Sequence, residues 1–317
     1  MSGRTETLTL EVVDRARMAD DVVSLCLAAP EGGELPEWEP GAHIEIELTD
    51  QLVRHYSLCG EVGARDRWQV AVLREPDGRG GSAYVHDSVQ QGQPVRVLGL
   101  RNHFRLLPSP CYLFIAGGIG VTPIIPMIEQ AERSGANWRL VYGGRTRGSM
   151  AFAHDLTERY PDAVTIAPLD EVGLLPLAEL LETPTPDTLV YCCGPEPLLA
   201  AVEAACAPWP TGSLHTERFA PKEFIPTGED TTVEVELAQS GITLTVPPGQ
   251  SLLEAITDAG IDLPSACTEG ICGTCETIVL GGVPDHRDSV LTDAERAENT
   301  TMFPCVSRAT GRLVLDL

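Results

Sequence analysis

The sequence has no long hydrophobic run and carries few basic residues. Its most apolar stretch, residues 111–116, is followed at once by two glycines, whereas a helix needs about 20 apolar residues to cross a bilayer, so no membrane insertion is expected. Lysine and arginine number 22 against 46 acidic residues, and the net charge of −24 repels nucleic acid and anionic lipid. The same charge favours a partner protein with a basic docking patch, and it fits simple solubility equally well.

The first residues also lack a secretory signal. Residues 1–6 contain no apolar segment and no cleavage site, which predicts a cytoplasmic protein in a reducing compartment where thiols persist. Disulfides are therefore not expected among the ten cysteines. Most of the scattered ones are interpreted as small buried hydrophobic residues.

Two segments with different patterns make up the first two thirds of the chain, and 317 residues suggest two or three domains in all. Up to residue 108, short alternating β-like runs are separated by turns rich in Gly, Pro and Asp, which predicts an antiparallel barrel or sandwich. From Cys111 a buried strand, a glycine-rich turn, a helix at Ile124–Ser134 and a further strand form a βαβ unit. Residues Thr188–Cys193 add another buried strand, so we expect a parallel α/β sheet.

The last part of the chain has the pattern of a small α+β domain. A Pro-containing stretch at 220–230 is typical of a short linker. Beyond it, Thr232–Leu237 and Ile242–Val246 predict a hairpin, and a helix over Ser251–Ala259 begins at a serine cap and ends at Gly260. This order predicts a β-grasp ferredoxin fold.

Four cysteines in this last part have the spacing of an iron–sulfur site. Cys267, Cys272 and Cys275 form Cys-x4-Cys-x2-Cys, and Cys305 follows from a later segment, which is the pattern of a plant-type [2Fe-2S] cluster. Three sulfurs must then converge from one short loop, and the glycines in that loop allow backbone angles closed to other residues. We predict that these four cysteines bind the cluster.

Structural zinc is the alternative for this motif. A zinc site needs two CxxC-like pairs, and only Cys272 and Cys275 form one. Disulfides are disfavoured by the expected reducing compartment.

Two glycine-containing turns follow strands of the predicted parallel sheet. Gly117, Gly118 and Gly120 lie after the first strand, and Cys193-Gly194-Pro195 ends a later one. The carboxyl ends of parallel strands meet at one edge, where a dinucleotide binds with its pyrophosphate at a helix N-terminus. One such turn is a weak signal, because tight packing explains many of them, but two turns at one edge indicate a nucleotide site.

A cation, an aromatic ring and a hydroxyl group lie on one predicted strand of the first domain, in Arg54-His55-Tyr56-Ser57. Arg54 and Tyr56 share a side, so the guanidinium can bind a phosphate while the ring lies against a planar heterocycle and Ser57 hydrogen-bonds a ring nitrogen. Gly78–Ser82 offers free amides before a helix-like segment, as a phosphate cradle does. A surface cation is the alternative for Arg54 taken alone.

In this order, the motifs resemble the phthalate dioxygenase reductase family over essentially the whole chain. Smaller matches are Arg101-Asn102-x-Phe104, Asp285-His286-Arg287-Asp288 and Cys305-Val306-Ser307-Arg308. The resemblance implies an FMN-binding β-barrel domain at 1–108, an NAD(P)-binding α/β domain at 109–219, the linker at 220–230 and a [2Fe-2S] ferredoxin domain at 231–317. Other oxygenase reductases place the ferredoxin first and carry FAD, so the order here favours FMN.

The resemblance also implies roles for individual residues. FMN would be bound by Arg54, His55, Tyr56, Ser57, Val72, Leu73, Arg74, Gly80, Gly81, Ser82 and Ala83, and the nicotinamide dinucleotide by Gly117, Gly118, Gly120, Thr122, Arg145, Cys193, Gly194 and Pro195. Four residues would lie at the reacting rings: Ser57, Thr122 near both rings, Cys193 against the nicotinamide, and Phe219 over the isoalloxazine. Core packing is the alternative for Phe219.

The choice between NADH and NADPH stays open from the residues alone. Arg145 and Arg147 follow the second strand of the dinucleotide fold, where the adenosine ribose binds, and two arginines there can accept a 2′-phosphate. The family resemblance implies NADH.

The predicted function is electron transfer from NADH through FMN to the [2Fe-2S] cluster and on to a partner oxygenase of the Rieske type. Nicotinamide gives up a hydride, whereas an iron–sulfur centre accepts one electron at a time, and a flavin connects the two. A cytochrome P450 as the acceptor, and a redox-sensing carrier with little turnover, are the alternatives. A monomer is expected because one chain holds all three redox parts.

Overall fold

The computed structural model describes residues 7–50, 52–222, 230–309 and 311–317. Most of the predicted linker at 220–230 therefore lies outside the described residues. The chain divides into two compact units, residues 1–217 and 218–317.

The first part of unit one is an antiparallel sheet with one helix. Its elements are β1 (Leu8–Ala19), β2 (Val22–Ala28), β3 (His43–Thr49), β4 (Leu52–Ser57), β5 (Trp68–Leu73), α1 (Gly81–Ser88) and β6 (Pro94–Arg101), with the strands in the order β4-β3-β6-β1-β2-β5. Period-two burial explains the strands: in β6, Val95 and Val97 are buried while Arg96 is exposed.

The two outer strands of this sheet meet and close it into a barrel. Leu58, directly after β4, forms a bridge with Val70 of β5, and the Cys59 amide donates to the Gln69 carbonyl at 2.9 Å. The barrel core includes the fully buried Trp68, and α1 packs Val85 into it. The sequence predicts either a barrel or a sandwich, and the structure shows a barrel.

The second part of unit one is a parallel α/β sheet. Its elements are β7 (Cys111–Gly117), α2 (Ile124–Ser134), β8 (Asn137–Gly144), α3 (Ala153–Arg159), β9 (Val164–Pro168), α4 (Leu169–Val172), α5 (Leu177–Leu180), β10 (Thr188–Cys193), α6 (Glu196–Ala205) and β11 (Leu214–Glu217), with the strands in the order β11-β10-β7-β8-β9. Phe114 packs on the α2 side of the sheet, and its neighbours Leu113 and Ile115 pack on the α6 side. Both faces are covered, which is why β7 reads as a continuous apolar run.

A small apolar cluster joins the barrel to the α/β sheet, and we call it the interdomain core. It consists of the buried Val22, Cys59, Ala71 and Ala151, with Met18, Ala19, Leu73, Ile119 and Phe152 packed against them. Leu73 ends β5, and Ile119 lies in the 3-10 turn after β7. The interdomain core therefore fixes the end of β5 beside the glycine-rich turn.

Unit two is a β-grasp fold. Its elements are β12 (Val233–Leu237), β13 (Ile242–Val246), α7 (Leu252–Asp258), β14 (Thr277–Gly281), β15 (Pro284–Asp285), α8 (Asp293–Glu298), β16 (Thr301–Met302), β17 (Arg308–Ala309) and β18 (Arg312–Leu315), with a main sheet in the order β13-β12-β18-β14-β16. The predicted cap is present: Ser251 Oγ accepts from the Glu254 amide at 3.1 Å, and Glu254 accepts from the Ser251 amide at 2.9 Å. The predicted fold class of barrel, parallel α/β sheet and ferredoxin module is confirmed.

Among the described residues, no helix combines the length and apolarity that crossing a membrane requires.

Candidate functional site

β4 and α1 bring Arg54 against a helix N-terminus. A side-chain carbon on Gly81 would lie 2.5 Å from the Cγ and Nε atoms of Arg54, so a larger residue there would displace the Arg54 side chain. Arg54 Nη2 donates to the Arg79 carbonyl at 2.8 Å, and Gly80 caps α1 with a left-handed backbone at a φ of 80°. A guanidinium and the free amides of α1 thus lie together, which is an arrangement for binding phosphate.

Tyr56 presents a buried polar atom beside this cradle. It pairs with Ile44 across the β3–β4 ladder, as Arg54 pairs with Ile46, so the two side chains share a side. Its Oη atom is buried without a hydrogen-bond partner among the described residues, and burial raises the pKa of Tyr56. Buried hydroxyl groups in folded proteins normally have a partner, so this position suits a polar atom of a bound cofactor.

The other predicted flavin residues lie around the same strands and helix. Ser57 is buried at the end of β4, and the His55 ring lies 5.4 Å from that of His43. Val72 points into the barrel core, so only its backbone is left for a cofactor, and Leu73 packs in the interdomain core. Three further predicted flavin residues lie after β5 or in α1. Arg74 makes a two-pronged ion pair with Asp87, and Ser82 Oγ accepts a hydrogen bond from the Glu75 amide. Ala83 is half-buried in α1.

The glycine-rich turn after β7 packs against the end of β10. A side-chain carbon on Gly120 would lie 2.3 Å from the Cys193 carbonyl oxygen, and one on Gly117 would lie 2.7 Å from Pro195 Cδ. Gly117 and Gly120 are therefore required by backbone packing between the two turns. Gly118 differs, since its φ is 55° and its surroundings are open, so its backbone can face a ligand.

Three polar side chains lie at the carboxyl edge of the parallel sheet: Thr122, Cys193 and Glu217. Thr122 is buried, and its hydroxyl donates to the Ile119 carbonyl at 2.9 Å. Cys193 Sγ lies 4.0 Å from Glu217 Oε2, because β10 and β11 pair these two residues. Burial raises the pKa of Glu217 to about 8, and burial, together with the Glu217 carboxylate, raises the pKa of Cys193.

Both side chains are consequently held largely neutral near pH 7, so this edge of the sheet carries little charge at these two positions. The sequence analysis missed Glu217. Its one signal was its position two residues before Phe219, and the strand register that sets it beside Cys193 comes from the fold.

Phe219 and the arginines after β8 complete the predicted set. Phe219 is 44% exposed, so the alternative of core packing is wrong, and its contact with a flavin stays a prediction. Arg145 is exposed. Arg147 makes a two-pronged ion pair with Glu171, with distances of 3.0 and 2.7 Å.

The four predicted cluster cysteines are all buried in unit two. Hydrogen bonds from the thiols of Cys272 and Cys305 lower the pKa of Cys267, and one from Cys305 lowers the pKa of Cys275, so the four sulfurs lie within reach of one another. Backbone amides also point at them: Glu269 donates to Cys267 Sγ at 3.3 Å. Converging thiols with amide donors fit a [2Fe-2S] cluster.

The loop between the cysteines has no room for larger residues. Gly270 has a φ of 68°, and a side-chain carbon there would lie 2.6 Å from Val306 Cγ2. The Asp288 carboxylate, whose backbone touches Gly270, accepts from the amides of Val290 and Leu291. This explains why the Asp285–Asp288 motif accompanies the cysteines.

A site for a single metal ion is not formed by this arrangement. Among the described residues, no group of three or more Cys, His, Asp or Glu side chains is arranged around one ion, whereas a [2Fe-2S] centre spreads four thiolates over two irons. The spacing of the four thiols is that of a plant-type cluster, as the sequence predicts.

Two known families match parts of the chain. The 2Fe-2S iron-sulfur cluster binding domain matches residues 235–310, and the oxidoreductase NAD-binding domain matches residues 114–204. The first match assigns [2Fe-2S] binding to the cysteine loop, and the second assigns nucleotide binding to the parallel sheet, as the geometry of each indicates.

Full-length similarities extend this result. The phenoxybenzoate dioxygenase subunit beta of Ectopseudomonas oleovorans is 42% identical over 94% of both chains. The solved structure of phthalate dioxygenase reductase, described as a modular structure for electron transfer from pyridine nucleotides to [2Fe-2S], is 35% identical over 98% of both chains with a TM-score of 0.72. The chain belongs to the phthalate dioxygenase reductase family.

Members of the phthalate dioxygenase reductase family carry FMN and a [2Fe-2S] cluster and bind NADH. The protein is accordingly an NAD(P)H-dependent flavin iron–sulfur oxidoreductase, the reductase component of an oxygenase. The cradle at Arg54 and the orphaned hydroxyl of Tyr56 fit FMN, and the thiols of unit two fit the cluster.

A second similarity lies outside stand-alone reductases. A type IV self-sufficient cytochrome P450 monooxygenase matches 98% of this chain at 42% identity and a TM-score of 0.93, and this chain spans 41% of its length.

Proposed function

We propose that the protein carries electrons from NADH to a Rieske-type oxygenase, through FMN bound to the barrel and a [2Fe-2S] cluster bound by Cys267, Cys272, Cys275 and Cys305. The observation that supports this proposal is the interdomain core, in which Leu73 at the end of β5 packs with Ile119 of the glycine-rich turn within unit one. When bound, FMN accepts a hydride from NADH and releases single electrons, which a [2Fe-2S] cluster accepts.

Arg54 and the amides at the start of α1 bind the FMN phosphate in this proposal. The guanidinium is held in place by Gly81 and the Arg79 carbonyl, so little conformational entropy is lost when it pairs with phosphate. Tyr56 offers its ring to the isoalloxazine and its orphaned hydroxyl to a polar atom of the cofactor. Ser57, at the end of the same strand, hydrogen-bonds the reacting ring.

Thr122, Cys193 and Glu217 orient the nicotinamide. Glu217 and Cys193 keep their protons near pH 7, so in this proposal the ring binds beside neutral groups. Gly118 leaves space for the rest of the dinucleotide to approach the backbone, while Gly194 packs against Gly117.

The domain limits, the location and the assembly belong to the same proposal. We place the barrel domain at 1–108, the α/β domain at 109–219 and the ferredoxin domain at 231–317, in a cytoplasmic monomer that binds no nucleic acid. The division of the chain near residue 217 supports the second limit.

A cytochrome P450 is the second candidate acceptor. The similarity to a self-sufficient cytochrome P450 monooxygenase, with a TM-score of 0.93 over 41% of that chain, favours it. Reduction of a P450 haem by this protein and NADH, with no reduction of a Rieske oxygenase, would select this acceptor.

Replacing a cluster ligand separates the two halves of the electron path. In Cys272→Ser we expect NADH to reduce the flavin at the rate seen without substitution, while electron delivery to a one-electron acceptor protein falls to background because the cluster is lost. Stopped-flow absorbance and acceptor reduction measure the two steps. Cys26→Ser, a half-buried cysteine on β2, is the control and should change neither. Normal delivery by Cys272→Ser would remove the cluster from the path.

A further inference from the structure

A cleft of about 510 Å³ lies beside the loop that follows β8, where the adenosine ribose of a bound dinucleotide is expected. Two arginines line it, Arg147 from the loop and Arg17 from β1. Positive charge at this place ordinarily selects NADPH, because the 2′-phosphate of NADPH needs a cation.

Both of these arginines are already paired with carboxylates. Arg147 donates to Glu171 of α4 through Nε and Nη2 at 3.0 and 2.7 Å, and Arg17 Nη2 donates to Asp20 at 2.7 Å. A two-pronged pair with a carboxylate occupies the donors that a phosphate would need.

The loop itself is held close to these carboxylates. The Asp20 amide donates to the Gly148 carbonyl at 2.8 Å, and the Asp170 amide donates to the Arg145 carbonyl at 3.3 Å. Thr146 and Ser149 cap the short 3-10 turn between them. The two arginines that line the cleft are thus matched by the carboxylates of Asp20 and Glu171. Asp155 also lines the cleft, so these side chains give it no net positive charge.

From these contacts we infer that Glu171 is the residue that selects NADH over NADPH, by holding Arg147 away from a 2′-phosphate. A carboxylate has about four lone-pair sites, so Glu171 paired with Arg147 can still accept a hydrogen bond from the ribose 2′-hydroxyl of NADH. A 2′-phosphate would meet the negative charge of Glu171 instead. The inference rests on the proposed function only in taking this edge as the dinucleotide site.

The test is a comparison of both nucleotides in Glu171→Gln and matched variants of the holoenzyme. Without substitution, we expect kcat/KM to be at least about tenfold higher for NADH than for NADPH. In Glu171→Gln the KM for NADPH should fall about tenfold, since Arg147 becomes free to make a charge-assisted contact. The kcat/KM for NADH should fall about threefold, because an amide oxygen is a weaker acceptor than a carboxylate for the ribose 2′-hydroxyl.

Three further variants identify the cause. Adding Arg147→Ala to Glu171→Gln should abolish the gain, and Glu171→Asp, which keeps the charge, should retain the preference for NADH. Glu129→Gln breaks a comparable pair with Arg159, 2.9 Å long, elsewhere in the same sheet domain, and it should leave the nucleotide preference unchanged.

A binding measurement gives the same answer without turnover. Titration of the oxidised protein with 2′,5′-ADP and with 5′-AMP by calorimetry should show that Glu171→Gln tightens only the first. The inference is overturned if the unsubstituted protein uses NADPH as well as NADH, if Glu171→Gln leaves both NADPH kinetics and 2′,5′-ADP affinity unchanged, or if the double variant keeps the gain. A protein that fails to oxidise NADH yet binds 2′,5′-ADP more tightly after Glu171→Gln would instead count against the proposed function alone.

Discussion

Glu217 and Cys193 show how the fold gives a residue a property that its type does not have. Glutamate ordinarily loses its proton near pH 4.5, but burial raises the pKa of Glu217 to about 8. The raised value arises mainly from desolvation, which disfavours the charged form. A neutral wall results at the edge where the nicotinamide is proposed to bind.

This shift makes stability depend on pH. The folded protein holds a proton on Glu217 that the unfolded chain releases between pH 4.5 and about 8, so the stability contributed by protonated Glu217 is present in full below pH 4.5 and lost as pH rises through that window. Glu217→Gln should therefore flatten the fall in melting temperature between pH 5 and 8, measured by thermal denaturation. Glu179→Gln, an exposed carboxylate of α5, serves as the control. An identical slope in Glu217→Gln and the unsubstituted protein would contradict the burial.

The four cluster cysteines could be predicted from sequence because their spacing alone carries the chemistry. Glu217 could not, because its partner Cys193 comes from another strand and only the β10–β11 register joins them. That Gly117 and Gly120 bind the dinucleotide stays a prediction, but the structure gives them a second role, because a side chain at either position would clash with the turn after β10.

At the scale of elements, short-range patterns predicted what lies within one strand or helix. The strand Thr188–Cys193 and the helix Ile124–Ser134 have the predicted limits, since both are bounded by local turn or cap signals. β1 belongs to the region where short alternating runs are predicted, but it extends over the twelve residues Leu8–Ala19. Two irregularities in its pairing with β2 interrupt the alternation that sequence analysis relies on.

The contact between the turn after β7 and the end of β10 is the element-scale feature on which nucleotide binding depends. Gly120→Ala would place a carbon 2.3 Å from the Cys193 carbonyl oxygen, and relieving such a backbone clash costs about 1–3 kcal/mol. We expect a lower free energy of unfolding, by denaturant titration, and weaker NADH binding. Gly33→Ala, where the nearest atom would be 3.6 Å away, should be close to neutral. Equal effects of the two substitutions would show that the turns do not need this close approach.

At the scale of the whole molecule, the order of patterns along the sequence predicted the three kinds of fold. It did not predict how the barrel closes or how the two parts of unit one are joined. Closure of the barrel depends on the bridge between Leu58 and Val70, and the two parts of unit one meet through the interdomain core. Both features join residues from different strands or turns, so no pattern within one strand or helix predicts them. The interdomain core in turn sets the end of β5 beside the glycine-rich turn after β7.

Electrons are proposed to pass from NADH through FMN to the cluster. An anaerobic titration of the purified protein with NADH, monitored by its absorption spectrum, tests this path. The account predicts flavin and iron–sulfur bands that both bleach with NADH, FMN as the flavin released on denaturation, and far weaker bleaching by the same concentration of NADPH. A colourless protein, or a cluster that stays oxidised after the flavin is reduced, would contradict it.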